Sequence, residues 1–287
     1  MRKKYIKRSD RNNKPDEDDN PKARSKRKVV FRKKKPPKLD LENPTTVEIK
    51  KSGVRLNKYL SNSGIAARRK ADEFIKDGWV TVNGQVITEM GYRIQLDDKV
   101  EFKGKKVEPQ NKTYVLINKP KDMITTTHDP KGRKTVMDLV QSIDVERLYP
   151  VGRLDRNTVG LLLLTNDGAL AQHLSHPKNE VRKIYHVFLD TPVQKGHLAQ
   201  IVEGITLEDG EIKVDMASYM NDNKKEIGVQ IHSGKNRIVR RIFEHFGYKI
   251  NKLDRVIYGG LTKKNLPRGK WRFLNAKEVI MMKHFKG

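Results

Sequence analysis

The sequence predicts an α+β protein with two folded parts: a small helix–helix–strand module, then a larger body on a largely antiparallel sheet. Two observations carry this. Between Val54 and Lys106, two short amphipathic helical patterns give way to strand patterns around Asn83-Gly84 and Asp97-Asp98. From residue 112 onward, strand and helix patterns come in mixed order with hairpin signals, not as a regular strand–helix–strand succession. Residues 1–51 fit neither pattern and are expected to be a disordered basic tail.

Composition narrows the partner. The 287 residues carry a formal net charge of +26, with 36% hydrophobic and 33% charged residues and a pI near 10.0. The tail holds 19 Lys and Arg against 8 Asp and Glu, and the rest of the chain 42 against 27. In "KARSKRKVVFRKKKPPK" there is too little apolar surface to offset ordering entropy, and Pro36 and Pro37 bar a helix. The cations cluster around an acidic patch, "DEDD", which favours an RNA-binding arm over a merely solubilising one. Such a charge calls for a polyanionic partner. No apolar run approaches the ~20 residues that span a bilayer, and "MRKKYIKRSD" is not followed by the apolar stretch of a signal peptide. The absence of cysteine excludes disulfides, thiolate metal sites and a Cys nucleophile, and is compatible with the cytoplasm. Nucleic acid, not membrane, is the expected partner.

In the small module, "VRLNKYLSNSG" places Leu56, Tyr59 and Leu60 on one helical face and stops at Gly64. "ARRKADEFIKDG" repeats the device with Ala71, Phe74 and Ile75, closed by Gly78. "VTVNGQV" is a strong hairpin signal, and "YRIQLDDKVEF" gives two more short strands. The outer helical faces carry Arg55, Lys58, Arg68, Arg69 and Lys76, whose nearly uniform sign favours phosphate contact over simple solvation. A linker is expected around "KGKKVEPQN". In the body, "TYVLINKPKDMITT" reads as strand, turn, strand; "TVMD" as a capping box from Thr135 to Asp138; and "GLLLLTNDG" as a strand buried on both faces. Asn166 or Asp167 caps the helix that follows, "KIYHVFLD" and "EIGVQIHSG" are strands, and "NRIVRRIFEHFGY" is a helix closed by Gly247. Along that helix Ile238, Ile242 and Phe246 share one side, and Arg237 and Arg241 another.

Few constellations carry chemistry. Phosphate-loop, dinucleotide and hydrolase-elbow motifs are missing. His173 and His176 lie three apart on a helix without a third ligand nearby, and read as helix-end polar residues, so no metal is expected. Asp155 stands out in "VGRLDRNTVGLLLLT". It lies between Arg153 and Arg156 on a loop anchored by a rigid buried strand. Spacing alone leaves two readings level, a loop ion pair or a functional carboxylate.

Two stretches resemble known families. "RLNKYLSNSGIAARRKADEFIKDGWVTVNG" resembles the S4 RNA-binding domain, departing at Ala67, where Ser often supplies a capping hydroxyl. "VGRLDRNTVGLLLLTNDG" resembles the signature of the RNA pseudouridine synthases of the small-subunit synthase A and large-subunit synthase B type. "VLINKPKD", "RKIYHVFL", "GKNRIVRRIFEHFGYKINKLDRVIYG" and "LPRGKWRFL" follow in the same order as the other motifs of that family. The resemblance implies domains over 52–110 (S4) and 111–287 (synthase), and isomerisation of a uridine without cofactor, redox change or energy source. It places the catalytic aspartate at Asp155, the base-stacking tyrosine at Tyr185 and the arginine that pairs with the aspartate at Arg240. Where the third motif often has Gln, this chain has Ile238, expected on a different helix face from Arg240.

Lys119, Arg153, Arg156, Arg237, Arg241 and Arg255 are expected to hold the RNA backbone. The expected substrate is a structured stem-loop of ribosomal RNA, with the large subunit as first choice and a monomeric enzyme. The competing readings are a synthase for small-subunit RNA, one that also modifies transfer RNA, and a non-catalytic ribosome-assembly factor. The set Asp155, Tyr185 and Arg240 argues against the last, since a protein that only bound RNA would not need it.

Overall fold

The structure, a computed structural model, describes residues 53–145 and 147–285. The basic tail expected over residues 1–51 lies outside them.

In the small module, residues four apart meet on one helical face. Leu56 and Leu60 do so on α1 (Leu56–Asn62), which follows β1 (Val54–Arg55); Ala71 and Ile75 do so on α2 (Arg68–Lys76). All four are buried in one core with Val80, Val82, Ile94 and Val100. The strands are β2 (Val80–Val82), β3 (Gln85–Val86), β4 (Arg93–Ile94), β5 (Val100–Phe102) and β6 (Lys105–Lys106), and β3-β2-β5-β6 form an antiparallel sheet. Asn83 and Gly84 take φ of 52° and 81°, the left-handed pair that a tight hairpin needs. Ala67 caps α2 without a side-chain hydrogen bond. The two short strands around Asp97-Asp98 do not pair with each other: β4 pairs with β1, and β5 with β2. The expected linker starts inside this module. Lys105 and Lys106 extend its sheet as β6, and Val107 is buried in its core, because alternation continues beyond the Gly104 turn.

The body contributes β7 (Tyr114–Lys119), β8 (Tyr149–Pro150), β9 (Thr158–Thr165), α3 (Gly168–Ser175), β10 (Lys183–Leu189), α4 (Lys195–Glu203), β11 (Ile205–Leu207) and β12 (Gly210–Ile212). It continues with β13 (Met216–Tyr219), β14 (Glu226–Ile231), α5 (Ile238–His245), β15 (Ile250–Tyr258), β16 (Leu261–Thr262), β17 (Trp271–Phe273) and α6 (Ala276–Lys283). Its nine-stranded sheet runs β13-β14-β10-β15-β9-β7-β17, with β8 on β9 and β16 on β15. Among the described residues one pairing in it is parallel, β9 with β15; the rest are antiparallel, as expected.

β9 is the spine. All eight of its residues are buried. Because side chains alternate across a strand, Leu161 and Leu163 enter one core with Leu170, Leu174 and Val279, while Leu162 and Leu164 enter another with Val136, Val140 and Leu154. At roughly 1.5–3 kcal/mol for each fully buried leucine, this strand is among the least movable parts of the fold. Gly160 makes the parallel seam: a Cβ there would lie 2.3 Å from the Arg255 carbonyl oxygen, and its φ is +110°.

Three local expectations come out differently or sharpen. The capping box of Thr135 and Asp138 forms, but on a 3₁₀ turn, Val136–Leu139. Asp167 caps α3, while Asn166 accepts from the Thr113 amide. The second strand expected in "DMITT" is replaced by a single bridge between Ile124 and Thr135, since the backbone of this segment is committed to the loops on either side. No helix among the described residues is long and apolar enough to cross a membrane.

Candidate active site

Asp155 sits on the turn that leads into β9, where the chain must reverse before the buried strand. The turn closes with the Thr158 amide donating to the Asp155 carbonyl at 3.0 Å. Gly152, at φ +72°, lets the preceding residues bend. Leu154 points into the core and fixes the loop from below. Its amide donates to Thr125 Oγ1 at 3.2 Å, and the same hydroxyl donates to the Leu154 carbonyl at 2.8 Å. The Asp122 amide donates to the Arg156 carbonyl at 3.0 Å. This is what the "DMITT" segment does in place of forming a strand: it braces the Asp155 loop.

Lys119, at the end of β7, completes the brace. It is fully buried, and its Nζ donates to the carbonyls of Pro120, Asp155 and Arg156 at 3.1 Å each and of Thr158 at 2.7 Å. Burial pushes its pKa down to about 8, opposed by Asp155 and Asp122. The expectation of a phosphate contact at Lys119 is therefore corrected, because its ammonium is enclosed by backbone.

The partners of the Asp155 carboxylate come from α5, not from its sequence neighbours. Arg240 Nε lies 3.6 Å from Asp155 Oδ2, and Arg237 Nη1 lies 3.9 Å from the same oxygen. Both distances are ion-pair separations longer than a hydrogen bond. Arg240 is 9% exposed and directs Nη2 toward Thr158 Oγ1 at 3.4 Å, while its buried Nε has no hydrogen-bond partner. Burial lowers its pKa, with Asp155 pulling it back. Arg237 is the residue before α5, held at φ +48°, and its other guanidinium nitrogen reaches Glu244 at 3.1 Å. A non-glycine residue in that region is strained, and such strain gathers at functional sites. Arg156 pairs instead with Asp122 at 3.3 Å, and Arg153 is exposed.

Asp155, Arg153 and Arg237 line a cavity of about 700 Å³ between the Asp155 loop, the start of β10, the loop before α5 and the end of β15. Tyr185 lines it from β10, half-buried and packed against the cores on both sides. Ile238 and Val239 line it too, so the substitution of Ile238 for the common Gln changes the cavity wall and not only the packing behind it. Arg255 lines the cavity from β15 at 3% exposure. It is an interior group at the cavity and not part of the exposed surface. Arg241 is committed to Asp209 through both terminal nitrogens, one at 3.0 Å, so an RNA phosphate would have to displace that carboxylate. Arg55, Arg68 and Arg69 are exposed and Lys58 is half-exposed on the small module, away from this cavity's lining. Of the two histidines, His173 is occupied by the Phe285 carbonyl and Asn179, and His176 Nδ1 accepts from the Lys178 amide.

Sequence reading missed Thr125 as the brace, Lys183 as a cation lining the cavity, and the pairing of Arg237 with Asp155. The Lys119-Pro120 stop at the end of a buried strand is a signal that could have raised the brace; nothing in the sequence around Thr125 does.

Comparison with known proteins gives a consistent result. The family model described as RNA pseudouridylate synthase matches residues 113–245, and the S4 domain model matches residues 54–100. The chain is 43% identical over 229 residues to the ribosomal large subunit pseudouridine synthase B of Bacillus subtilis, covering 78% of this chain and 93% of that one. It is 41% identical over 233 residues to an RNA pseudouridine synthase of Aquifex aeolicus, covering 80% and 93%. A crystal structure of a pseudouridylate synthase superposes with a TM-score of 0.57 at 27% identity, over 80% of this chain and 100% of that one.

Proposed function

The chain belongs to the RNA pseudouridylate synthase family, and from that membership we propose that it converts one uridine of large-subunit ribosomal RNA to pseudouridine, as a cytoplasmic monomer, with Asp155 as the acting carboxylate. The observation that carries the reading is the Asp155 carboxylate on a braced loop, facing a cavity and 3.6 Å from a buried arginine whose Nε has no hydrogen bond. The choice of the large subunit rests on the name of the Bacillus subtilis relative.

The isomerisation breaks the N1–C1′ bond, turns the uracil, joins C5 to C1′, and moves a proton from C5 to N1 through solvent. Atoms and electrons balance without a further reactant. Opening that bond, whether by addition at C1′, addition at C6 or removal of the 2′ proton, requires an oriented carboxylate with little bound water. Arg240 and Arg237 supply charge and direction, and the brace formed by Thr125 and Lys119 fixes the backbone, so little reorganisation is left for the reaction step. Apo distances of 3.6 and 3.9 Å leave room for the pair to tighten when the nucleotide expels water. The target base must leave its stack, at a cost of roughly a few kcal/mol, and the face of Tyr185 offers a replacement surface. Arg153, exposed at the cavity, and Arg156, exposed on the same loop, are the contacts this reading gives the backbone on either side. Residues 52–110 are the RNA-binding module of this reading, with Arg55, Lys58, Arg68 and Arg69 as its phosphate contacts.

The test uses transcripts labelled with tritium at C5 of uridine, because forming pseudouridine releases that tritium to water. Large-subunit ribosomal RNA should release label to the extent of about one uridine per transcript, and small-subunit and transfer RNA none. Release from either of those alone would contradict the target, and no release from any RNA would contradict the reaction.

A further inference from the structure

Besides Lys235, which pairs with Asp209, the cavity lining holds two cations that the reaction described above does not use. Lys183 and Arg255 lie on adjacent strands, with Lys183 in register with Tyr258 and Tyr185 in register with Arg255. All four line the cavity. Lys183 Nζ donates to the carbonyls of Val181 at 2.9 Å and His232 at 2.6 Å. Arg255 Nε donates to the Leu161 carbonyl at 2.8 Å, and its guanidinium carbon sits 4.5 Å from the centre of the Tyr258 ring. Arg255 Nη2 is buried with no hydrogen-bond partner. Among the described residues, neither cation is ion-paired with a carboxylate. Burial and the nearby guanidinium of Arg255 push Lys183 down to about 8, so it is still cationic at neutral pH.

Arg255 is buried and Lys183 half-buried, and cations held partly or wholly out of water without a counter-charge are destabilising in the free protein. Charges shielded from water and lacking a carboxylate partner gather at functional sites. Their depth says which oxygen they await. Phosphates belong to the rim, where Arg153 and Arg237 are exposed. Arg255, at 3% exposure, instead lies beside Tyr185, at the level of the base that Tyr185 would stack.

We infer that Lys183 and Arg255 form a charge-stabilising subsite for the carbonyl oxygens of the target uracil. The inference rests on the function proposed above. When the N1–C1′ bond breaks, its electron pair passes to the ring, and the negative charge spreads over N1 and the two carbonyl oxygens. Donors already in place where that charge develops lower the barrier without tightening the ground state. The subsite also favours a ring that can carry such charge on two oxygens, as uracil does.

Single-turnover rates by tritium release and RNA affinity by filter binding test this on the full chain. Lys183→Met and Arg255→Gln are expected to slow the saturated rate about 30- to 300-fold with affinity within threefold of wild type. Lys183→Arg, which keeps the charge, is expected to recover most of the loss. Thermal melts of each variant separate a folding defect from a chemical one, and Lys183→Gln carries the test if Lys183→Met does not fold, with the same loss of rate expected of it. Wild-type rates in Lys183→Met and Arg255→Gln overturn the subsite and leave the parent function intact. A loss confined to affinity, with a shallower salt dependence, overturns it in favour of a phosphate contact. A wild-type protein without turnover removes the parent function and the subsite together.

Discussion

The Asp155 carboxylate lies 3.6 Å from Arg240 and 3.9 Å from Arg237, whereas Arg153 and Arg156, its neighbours in sequence, serve the loop surface and Asp122. Side chains adjacent in a turn splay apart, so the cations that meet a carboxylate come from another element. For that reason Asp155 stood out in the sequence while its own ion pairs could not be read from the residues beside it; the pairing with Arg240 came only from resemblance. The brace was still less legible, because a Thr hydroxyl bonded to both backbone groups of Leu154 leaves no pattern in composition or period. Thr125→Val removes that hydroxyl at nearly constant volume and leaves the Leu154 N–H and C=O without their partner. Stability should fall by about 1–3 kcal/mol, read from urea unfolding. The saturated rate should fall about 10- to 100-fold, since small misplacements of reacting groups are costly, while RNA affinity holds. An unchanged rate would show that the loop keeps its shape without Thr125.

Among the elements, β9 was the most legible and the segment after Lys119 the least. Four consecutive leucines bounded by turn residues have one ready explanation, a strand buried on both faces, and the leucines alternate between two cores. "DMITT" has the composition of a strand, but its hydrogen bonds go to the Asp155 loop and to Lys134 and Val136, a tertiary choice that local propensity does not record. The cap of α3 was legible to within one residue. Asp167 Oδ1 accepts from the Ala169 and Leu170 amides, and Oδ2 accepts from the Tyr114 hydroxyl at 2.9 Å, with Lys112 at 3.3 Å. Burial raises the pKa of Asp167, but Lys112, Tyr114 and the Leu170 amide together bring it below the usual value. A folded pKa below the unfolded one means that the unfolded chain binds more protons in that window. The contribution of Asp167 is thus complete above the unfolded value of 3.8 and is lost as pH falls through the lower folded value. Asp167→Ala should cost about 1–3 kcal/mol at pH 7, with the gap from wild type closing progressively below pH ~4. A gap that widened in acid would mean that the carboxylate is not held as the anion.

At the scale of the whole molecule, two basic sections share one chain. The tail carries 19 of the 61 Lys and Arg, and the small module presents Arg55, Arg68 and Arg69 to solvent. Both were legible as charge, because charge needs no fold to be counted. The cavity was not, since its lining comes from segments between Val151 and Tyr258 that meet only through the sheet. Removing residues 1–51 should leave turnover at saturating RNA unchanged and make the logarithm of affinity fall less steeply with the logarithm of salt, by about 0.7–0.9 for each phosphate that the tail neutralises. An unchanged slope would make the tail a bystander in binding.

The measurement that bears most directly on the central claim is a map of pseudouridine in unmodified ribosomal RNA after incubation with the protein, by carbodiimide labelling and primer extension. The account predicts one new stop in large-subunit RNA with the wild-type protein, and none with Asp155→Asn, whose shape is kept and whose RNA affinity stays within a few-fold. A stop of equal strength with Asp155→Asn, or no stop in any RNA that the wild-type protein binds tightly, would contradict it and return Asp155 to a loop ion pair.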